Sequence, residues 1–347
     1  EASGTEHRAA RESVAVFDQT SFSKFIVKGR DSTEVLQRLC GADVDVAIGK
    51  TVYTGLFNER GGYESDLTLV RIAYDEFYIV TSSQQTLRDL NWIEQNTPDS
   101  ADTSIVDVTT GTGVIGVMGP RSRELLSRVS DARLSNDAFP FGTARHIGIG
   151  MATALAIRIT YVGELGWELH IPVDTMATVY DELMASGSDM GITNAGHYAI
   201  NSLRLEKGYR AWGHELTPDD NPFEAGLSFV LAWDKPVDFL GKAALAELRG
   251  GKPDKRMVTF VLKDPDPMLW GSEPIRRDGK VVGYTTSGAY GYSLGGAVAM
   301  GYVNNPDGVD AGFIHSGEFE IVVDGCAVPA SAHLRPPYDP ERKRIMA

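Results

Sequence analysis

Residues 61–71, Gly-Gly-Tyr-Glu-Ser-Asp-Leu-Thr-Leu-Val-Arg, predict a glycine turn followed by a β-strand. Leu67 and Leu69 alternate with Asp66 and Thr68, which is the spacing of a strand with one buried face. A carboxylate at the first position of an otherwise apolar strand is a candidate acid or base, because enzymes often hold such groups partly buried. The alternative is that Asp66 only stabilises the Gly-Gly turn by accepting hydrogen bonds from backbone N–H groups.

The strand that contains Asp66 begins a ββα unit, and the same order of elements recurs later in the chain. The first unit consists of strands at 66–71 and 76–81 and a helix at 84–95. The second consists of strands at 153–161 and 167–171 and a helix at 173–184. Two such units predict an α+β fold with two related, ferredoxin-like lobes, each a sheet covered by helices on one face.

The chain changes character near residue 250, at Gly250-Gly251-Lys252-Pro253. Beyond this point it consists of short apolar runs separated by glycine and proline turns, at 257–263, 280–286, 297–303 and 319–324. This spacing predicts a small β-barrel. We therefore expect a first region at 1–250, which holds both α+β lobes, and a barrel domain at 251–347.

Composition excludes several classes of protein. The net charge of −14 leaves no excess of Lys and Arg for a nucleic-acid surface. No apolar run approaches the roughly 18 residues needed to cross a membrane. The two cysteines, Cys40 and Cys326, indicate a reducing compartment, either cytosol or mitochondrial matrix. The start at Glu1 is polar and lacks Met, so we expect a removed leader or a longer parent chain.

Three familiar motifs are absent or lack the right context. Residues 111–116, Gly-Thr-Gly-Val-Ile-Gly, match a dinucleotide-binding pattern, but a strand is predicted where the helix should begin. A glycine-rich strand packed closely on a neighbour is the alternative. The seven histidines form no pair at helical ligand spacing, so no metal site is predicted. No Gly-x-Ser-x-Gly elbow is present, which disfavours a serine hydrolase.

Two further segments carry charges that suggest a ligand. Residues 161–168, Tyr-Val-Gly-Glu-Leu-Gly-Trp-Glu, predict two strands joined by a tight turn. Glu164 and Glu168 either belong to a solvated hairpin or face a nitrogen heterocycle, whose parallel N–H donors one carboxylate can accept. Arg204, near the end of a helix, either complements the helix C-terminus or anchors an anionic tail.

Together these segments resemble the folate-binding aminomethyltransferase family. The family includes the T-protein of the glycine cleavage system and the C-terminal half of dimethylglycine and sarcosine dehydrogenases and of dimethylglycine oxidase. The matching segments keep the family's order over nearly the whole chain. They are residues 14–18, 61–71, 118–120, 161–168, 202–208, 221–227 and 299–303.

The resemblance implies a cloverleaf of two interleaved lobes and a barrel around a central funnel for tetrahydrofolate. It places Asp66 beside the folate N10 as the catalytic residue, and Tyr53 and Thr68 along the folate. Glu168, and with it Glu164, would bind the pterin edge. The remaining cofactor-binding candidates are the tail anchor Arg204 and the aromatic residues Tyr161, Tyr209, Trp212 and Tyr338.

The chain departs from T-proteins at two places. Ile200 stands where T-proteins carry an arginine, and Gly295-Gly296 stand where they carry lysines, so a surface for an acidic lipoyl carrier protein is in doubt. The run at 161–168 is more similar to the amine dehydrogenase branch, in which a flavin domain precedes this region. We therefore expect FAD or another cofactor only in an upstream demethylating domain or subunit. A demethylase that acts on an amine oxide fits equally well.

The resemblance implies one-carbon transfer to tetrahydrofolate. Formaldehyde or an iminium from N-demethylation would be captured as 5,10-methylene-tetrahydrofolate. Two alternatives stay open at this point. The chain could be a non-catalytic folate-binding module, or a free-standing aminomethyl- or methyltransferase that receives its carbon from a carrier protein or a methylated small molecule.

Overall fold

The computed structural model describes all residues from Glu1 to Ala347. The first third of the chain alternates strands with short helices. Its elements are α1 (Ala2–Glu12), β1 (Ala15–Asp18), β2 (Ser23–Lys28), α2 (Ser32–Leu39), β3 (Thr51–Phe57), β4 (Tyr63–Ala73), β5 (Glu76–Thr81), α3 (Thr86–Gln95) and β6 (Ser104–Asp107). The predicted first ββα unit is therefore β4, β5 and α3.

The middle of the chain contains the second unit, β9, β10 and α5, within a longer series. The elements are β7 (Thr112–Met118), α4 (Ser122–Val129), β8 (Ala144–Ile149), β9 (Ala152–Ile157), β10 (Gly166–Pro172), α5 (Val173–Ser186), β11 (Thr193–Ala195) and α6 (His197–Glu206). One prediction is wrong: residues 161–168 do not form a tight hairpin. β9 ends at Ile157, and residues 158–165 form a loop that precedes β10.

The last third forms the barrel. After α7 (Lys242–Leu248) come β12 (Lys255–Leu262), β13 (Pro274–Arg277), β14 (Lys280–Gly291), β15 (Gly296–Asn304), α8 (Ala311–Ser316), β16 (Phe319–Val323) and β17 (Cys326–His333). Six strands close in the order β12-β15-β14-β13-β16-β17, where the sequence pattern predicted four. The barrel fold is confirmed, and the division of the chain at residue 250 stays a prediction.

The two α+β lobes are interleaved. A five-stranded sheet has the order β3-β4-β5-β2-β6, and a six-stranded sheet has the order β11-β1-β7-β10-β9-β8. Because β1 pairs with β7 and β11, the five-stranded lobe lies in the sequence between two parts of the six-stranded one. Gly111 ends a short 3₁₀ turn and residues 112–116 lie in β7, so the helix that a dinucleotide site needs does not begin at these glycines.

Each sheet packs one face on helices and turns the other face toward the opposite sheet. The helix-covered faces bury clusters of 21 and 13 apolar residues. The cluster between the sheets has only four fully buried members, which are Val70, Tyr78, Ala144 and Ile157. The region between the sheets therefore holds fewer buried apolar residues than either helix-covered face. No helix is both long and apolar enough to cross a membrane.

Candidate functional site

Asp66 lies on the face of β4 that points toward the six-stranded sheet. Alternation along β4 places Thr68 and Val70 on the same face, and Val70 belongs to the cluster between the sheets. Tyr53 on β3 donates a hydrogen bond from its hydroxyl to Asp66 Oδ2 at 2.8 Å. Burial raises the pKa of Asp66 to about 6, against the opposing effect of the Tyr53 hydrogen bond. A carboxyl group with a pKa this close to neutrality can accept and return a proton.

The Gly-Gly turn is stabilised by Asn58 rather than by Asp66. Asn58 Oδ1 accepts hydrogen bonds from the backbone N–H groups of Arg60 and Gly62, both at 3.0 Å. The alternative role considered for Asp66 is therefore already filled by another side chain. The Asp66 carboxylate is left to face the space between the sheets.

Aromatic side chains surround the Asp66 end of this space. The charge of Asp66 adds to burial in raising the pKa of both Tyr63 and Tyr161. Tyr161 stacks on Tyr209 with ring centroids 5.9 Å apart. Trp212 packs in the same apolar cluster as Tyr53 and Tyr63. The structure thus groups five of the predicted residues at one end: Asp66, Tyr53, Tyr161, Tyr209 and Trp212.

Glu168 lies deeper in the same space. On β10 it pairs with Gly116 and with Ile157, and Ile157 packs between the sheets with Val70. The Gln19 amide donates to Glu168 Oε1 at 3.4 Å, and His170 Nε2 lies 3.7 Å from Glu168 Oε2. All three side chains are buried. Both predicted carboxylates, Asp66 and Glu168, therefore face the space between the sheets.

Two buried polar atoms beside Glu168 have no hydrogen-bond partner. They are Gln19 Oε1 and His170 Nε2. Buried polar atoms are nearly always paired, so an unpaired set around a carboxylate fits a polar ligand that would complete it. Near Asp66 the Tyr63 hydroxyl is likewise buried and unpaired. These residues therefore suit a ligand rich in hydrogen-bond donors and acceptors, as the pterin ring implied by the family resemblance is.

Glu164 and Tyr338 contact each other at a place separate from Asp66 and Glu168, and their predicted ligand roles stay predictions. Glu164 is buried and accepts hydrogen bonds from Arg11 at 3.2 Å, from Arg344 at 3.0 Å and from the Tyr338 hydroxyl. These donors satisfy its carboxylate, so it is not free to bind a heterocycle. The ring of Tyr338 lies beneath Arg11 and lines a separate cavity of about 590 Å³. Neither Asp66 nor Glu168 lines that cavity.

Arg204 does not present a free charge to an anionic tail. Its buried guanidinium donates to Glu215 Oε2 at 2.7 Å and to the Ser287 hydroxyl at 2.8 Å. The hydrogen bond to Ser287 joins α6 to barrel strand β14. Lys207 is likewise paired, with Asp339 at 2.8 Å. These contacts favour a structural ion pair at Arg204, and the tail anchor stays a prediction.

Several residues of the site were missed in the sequence. His170 follows Glu168 by two positions, so strand alternation alone places both on one face. Tyr63 precedes Asp66 by three positions on β4, a spacing that strand alternation assigns to opposite faces. Gln19, Tyr78 and Glu215 come from distant segments, and no local pattern could associate them with Asp66 or Glu168. No group of three or more His, Cys, Asp or Glu side chains is arranged to hold a metal ion.

Comparisons with known proteins agree with this architecture. A family model described as the GCVT N-terminal domain matches residues 1–235, and one described as the glycine cleavage T-protein C-terminal barrel domain matches residues 255–339. The crystal structure of the glycine cleavage system aminomethyltransferase T from Bartonella henselae superposes with a TM-score of 0.84 at 26% identity. That match covers 97% of this chain and 90% of that one.

Two curated relatives are longer than this chain. The 4-methylaminobutanoate oxidase (formaldehyde-forming) of Paenarthrobacter nicotinovorans is 42% identical over 340 residues, which are 98% of this chain and 40% of the oxidase. Human mitochondrial sarcosine dehydrogenase is 39% identical over 355 residues, which are 97% of this chain and 38% of the dehydrogenase. The chain thus spans about two fifths of the length of these relatives. It belongs to the aminomethyltransferase family of the glycine cleavage T-protein, with both the family's N-terminal domain and its C-terminal barrel.

Proposed function

We propose that the chain binds tetrahydrofolate between its two sheets and transfers a one-carbon unit to it, forming 5,10-methylene-tetrahydrofolate. The carbon would arrive as formaldehyde or an iminium produced by N-demethylation in an upstream domain or subunit. The observation that carries the proposal is the placement of Asp66. Its carboxyl, with a pKa near 6, lies at one end of a space whose other end holds Glu168 and unpaired polar atoms.

Each residue has a separate part in this proposal. Bound tetrahydrofolate would supply the two amines that attack the one-carbon unit. Asp66 would accept the proton that the attacking amine releases and return it to the leaving group, which departs as water from formaldehyde or as an amine from the iminium. Tyr53 would hold the carboxylate in place through its 2.8 Å hydrogen bond. Glu168 would orient the pterin edge. Tyr161 and Tyr209 would limit the escape of formaldehyde from the site, which favours reaction by holding the partners together.

The names of the relatives support N-demethylation of a methylated amine as the source of the one-carbon unit. One relative is a formaldehyde-forming oxidase of a methylated amine, and another is a sarcosine dehydrogenase. We propose the same class of donor here, with any FAD or other redox cofactor in the upstream part. The compartment, cytosol or mitochondrial matrix, is proposed on the same basis. A second candidate is a free-standing aminomethyltransferase, which the match to most of the Bartonella protein favours.

Titration with tetrahydrofolate followed by addition of formaldehyde tests the proposal. We expect saturable binding and formation of 5,10-methylene-tetrahydrofolate faster than the uncatalysed reaction. Binding without any rate enhancement would indicate a folate-binding module. Transfer from an aminomethylated carrier protein, with no response to formaldehyde, would favour the free-standing aminomethyltransferase. Absence of folate binding would overturn the proposal.

A further inference from the structure

His170, Glu168 and Gln19 form a short row of buried side chains between the sheets. His170 Nε2 lies beside Glu168 Oε2 at 3.7 Å, and the Gln19 amide lies beside Glu168 Oε1 at 3.4 Å. His170 and Gln19 are therefore on opposite sides of one carboxylate. The atoms of this row that have no partner are His170 Nε2 and Gln19 Oε1.

The groups on either side of the His170 ring determine which ring nitrogen carries the hydrogen. The Tyr78 hydroxyl lies 2.9 Å from His170 Nδ1. On the other side of the ring, Nε2 lies 3.7 Å from the Glu168 carboxylate, which can only accept hydrogen bonds, so Nε2 is the nitrogen that carries the hydrogen. Burial raises the pKa of Tyr78. Tyr78 therefore keeps its hydrogen and donates it to Nδ1. His170 Nε2–H is then a donor on the side of Glu168.

The row thus offers, in order, the His170 Nε2–H donor, the two Glu168 carboxylate acceptors and the Gln19 Oε1 acceptor. We propose that His170 and Gln19 flank Glu168 to recognise the 4-oxo, N3–H and 2-amino edge of a pteridine; this rests on the proposed function. His170 Nε2–H would donate to the 4-oxo oxygen. Glu168 would accept N3–H and one hydrogen of the 2-amino group, and Gln19 Oε1 would accept the other.

The packing of Gln19 on β7 supports a defined position for its side chain beside Glu168. Gly116 on β7 lies under the Gln19 side chain, and a Cβ atom at this glycine would come within 2.3 Å of Gln19 Oε1. The strand is therefore kept free of side chains where Gln19 must lie. If these groups only packed the two sheets together, His170 Nε2 and Gln19 Oε1 would be expected to bind each other or the backbone.

This arrangement predicts discrimination against 4-amino pteridines. A 4-amino group would place a second donor against His170 Nε2–H, and a buried donor without an acceptor is costly. We therefore expect tetrahydrofolate to bind at least about tenfold more tightly than its 2,4-diamino counterpart. The 2-amino group is common to both ligands, so Gln19 should contribute to both affinities.

Titration of the wild-type chain and three variants with both ligands tests the inference. His170→Leu should weaken tetrahydrofolate alone and so reduce the preference for the 4-oxo ligand. Tyr78→Phe should reduce the preference too, because Nδ1 loses its donor and Nε2 is free to become an acceptor. Gln19→Leu should weaken both ligands and leave their ratio unchanged. Melting temperatures would show whether each variant is folded.

The outcomes separate this inference from the proposed function. If the wild-type chain binds neither ligand, both are overturned. If it binds tetrahydrofolate and forms 5,10-methylene-tetrahydrofolate while folded His170→Leu and Tyr78→Phe keep the full preference for the 4-oxo ligand, only this inference is overturned. Equal affinity of the wild-type chain for the two ligands would also overturn it.

Discussion

Opposing effects of burial and of Tyr53 set the pKa of Asp66. Burial raises it to about 6, and the hydrogen bond from Tyr53 limits the rise. Since a base must be ionised, we expect the wild-type transfer rate to fall as the pH drops through about 6. In Tyr53→Phe the hydrogen bond is lost, so the midpoint of this fall should move to higher pH. Initial rates between about pH 5 and about pH 8 measure both midpoints, and an unchanged or lower midpoint in Tyr53→Phe would contradict the account.

The same shift predicts an effect on stability. The pKa of Asp66 is higher in the folded chain, about 6, than the ordinary value of 3.8, so ionisation is less favourable in the folded state. The stability that this raised pKa contributes is present at low pH and is lost as the pH rises through about 6. Asp66→Asn should therefore melt at a higher temperature than the wild type above this pH.

Thermal melts at acidic and at neutral pH check this expectation. At acidic pH the wild-type carboxyl is protonated in both states, so the advantage of Asp66→Asn should shrink. Asp75→Asn makes the same change at an exposed position of the hairpin that joins β4 and β5. It should show no such pH-dependent gain, and equal behaviour of the two variants would argue against burial as the cause.

At the scale of elements, the turn before β4 requires glycine at both of its Gly positions, for two different reasons. Gly61 has φ of +83°, a region that favours glycine. Gly62 is constrained instead by packing, since a Cβ there would lie 1.8 Å from the Pro218 carbonyl oxygen. Gly62→Ala should therefore lower the free energy of unfolding by about 1–3 kcal/mol.

Denaturant unfolding measures this loss, and Gly111→Ala provides the control. A Cβ at Gly111 would meet no atom within 4 Å. A neutral effect of Gly62→Ala would show that the turn does not pack on the segment containing Pro218 as described.

Local sequence pattern predicted strands and helices correctly where one face of the element packs on an apolar core. Alternation in β4 placed Leu67 and Leu69 on the helix-covered face and Asp66 on the other, as the structure shows. It failed for the loop at 158–165, because a Gly-rich run resembles a tight turn whether or not strands flank it. It also missed β13 and β17, whose existence depends on barrel closure rather than on their own composition.

At the scale of the whole molecule, an ion pair links the lobes to the barrel. Arg204 on α6 binds Glu215, whose other oxygen accepts from Thr286 on β14 at 2.7 Å. Removing one partner leaves a buried charge, so Arg204→Met should destabilise the protein by about 3–5 kcal/mol. Replacing both charges, in Arg204→Met/Glu215→Leu, should restore much of the loss.

Unfolding and folate titration together distinguish this role from a tail anchor. A structural pair predicts that the folded fraction of Arg204→Met keeps its folate affinity. A large loss of affinity in a stable variant would support the tail anchor instead.

The arrangement of the whole molecule was predictable only through the family resemblance. Local sequence pattern separated a β-rich C-terminal part from two α+β units. It could not predict that β1 pairs with β7 and β11, or that Tyr78 would reach His170 across the two sheets, because these contacts join residues far apart in the sequence. The same limit explains why Arg204 and Glu164 were assigned to a ligand. Arg204 binds Glu215 and Glu164 binds Arg11, and no sequence motif links either pair.

The transfer rate of Asp66→Asn at saturating tetrahydrofolate is the most direct test of the central claim, that Asp66 is the working carboxylate of a one-carbon transfer site. We expect formaldehyde-dependent formation of 5,10-methylene-tetrahydrofolate to fall to near the uncatalysed rate. Folate affinity should stay close to that of the wild type, and Asp75→Asn should be fully active. If Asp66→Asn forms 5,10-methylene-tetrahydrofolate at the wild-type rate above the uncatalysed reaction, the role assigned to Asp66 is contradicted.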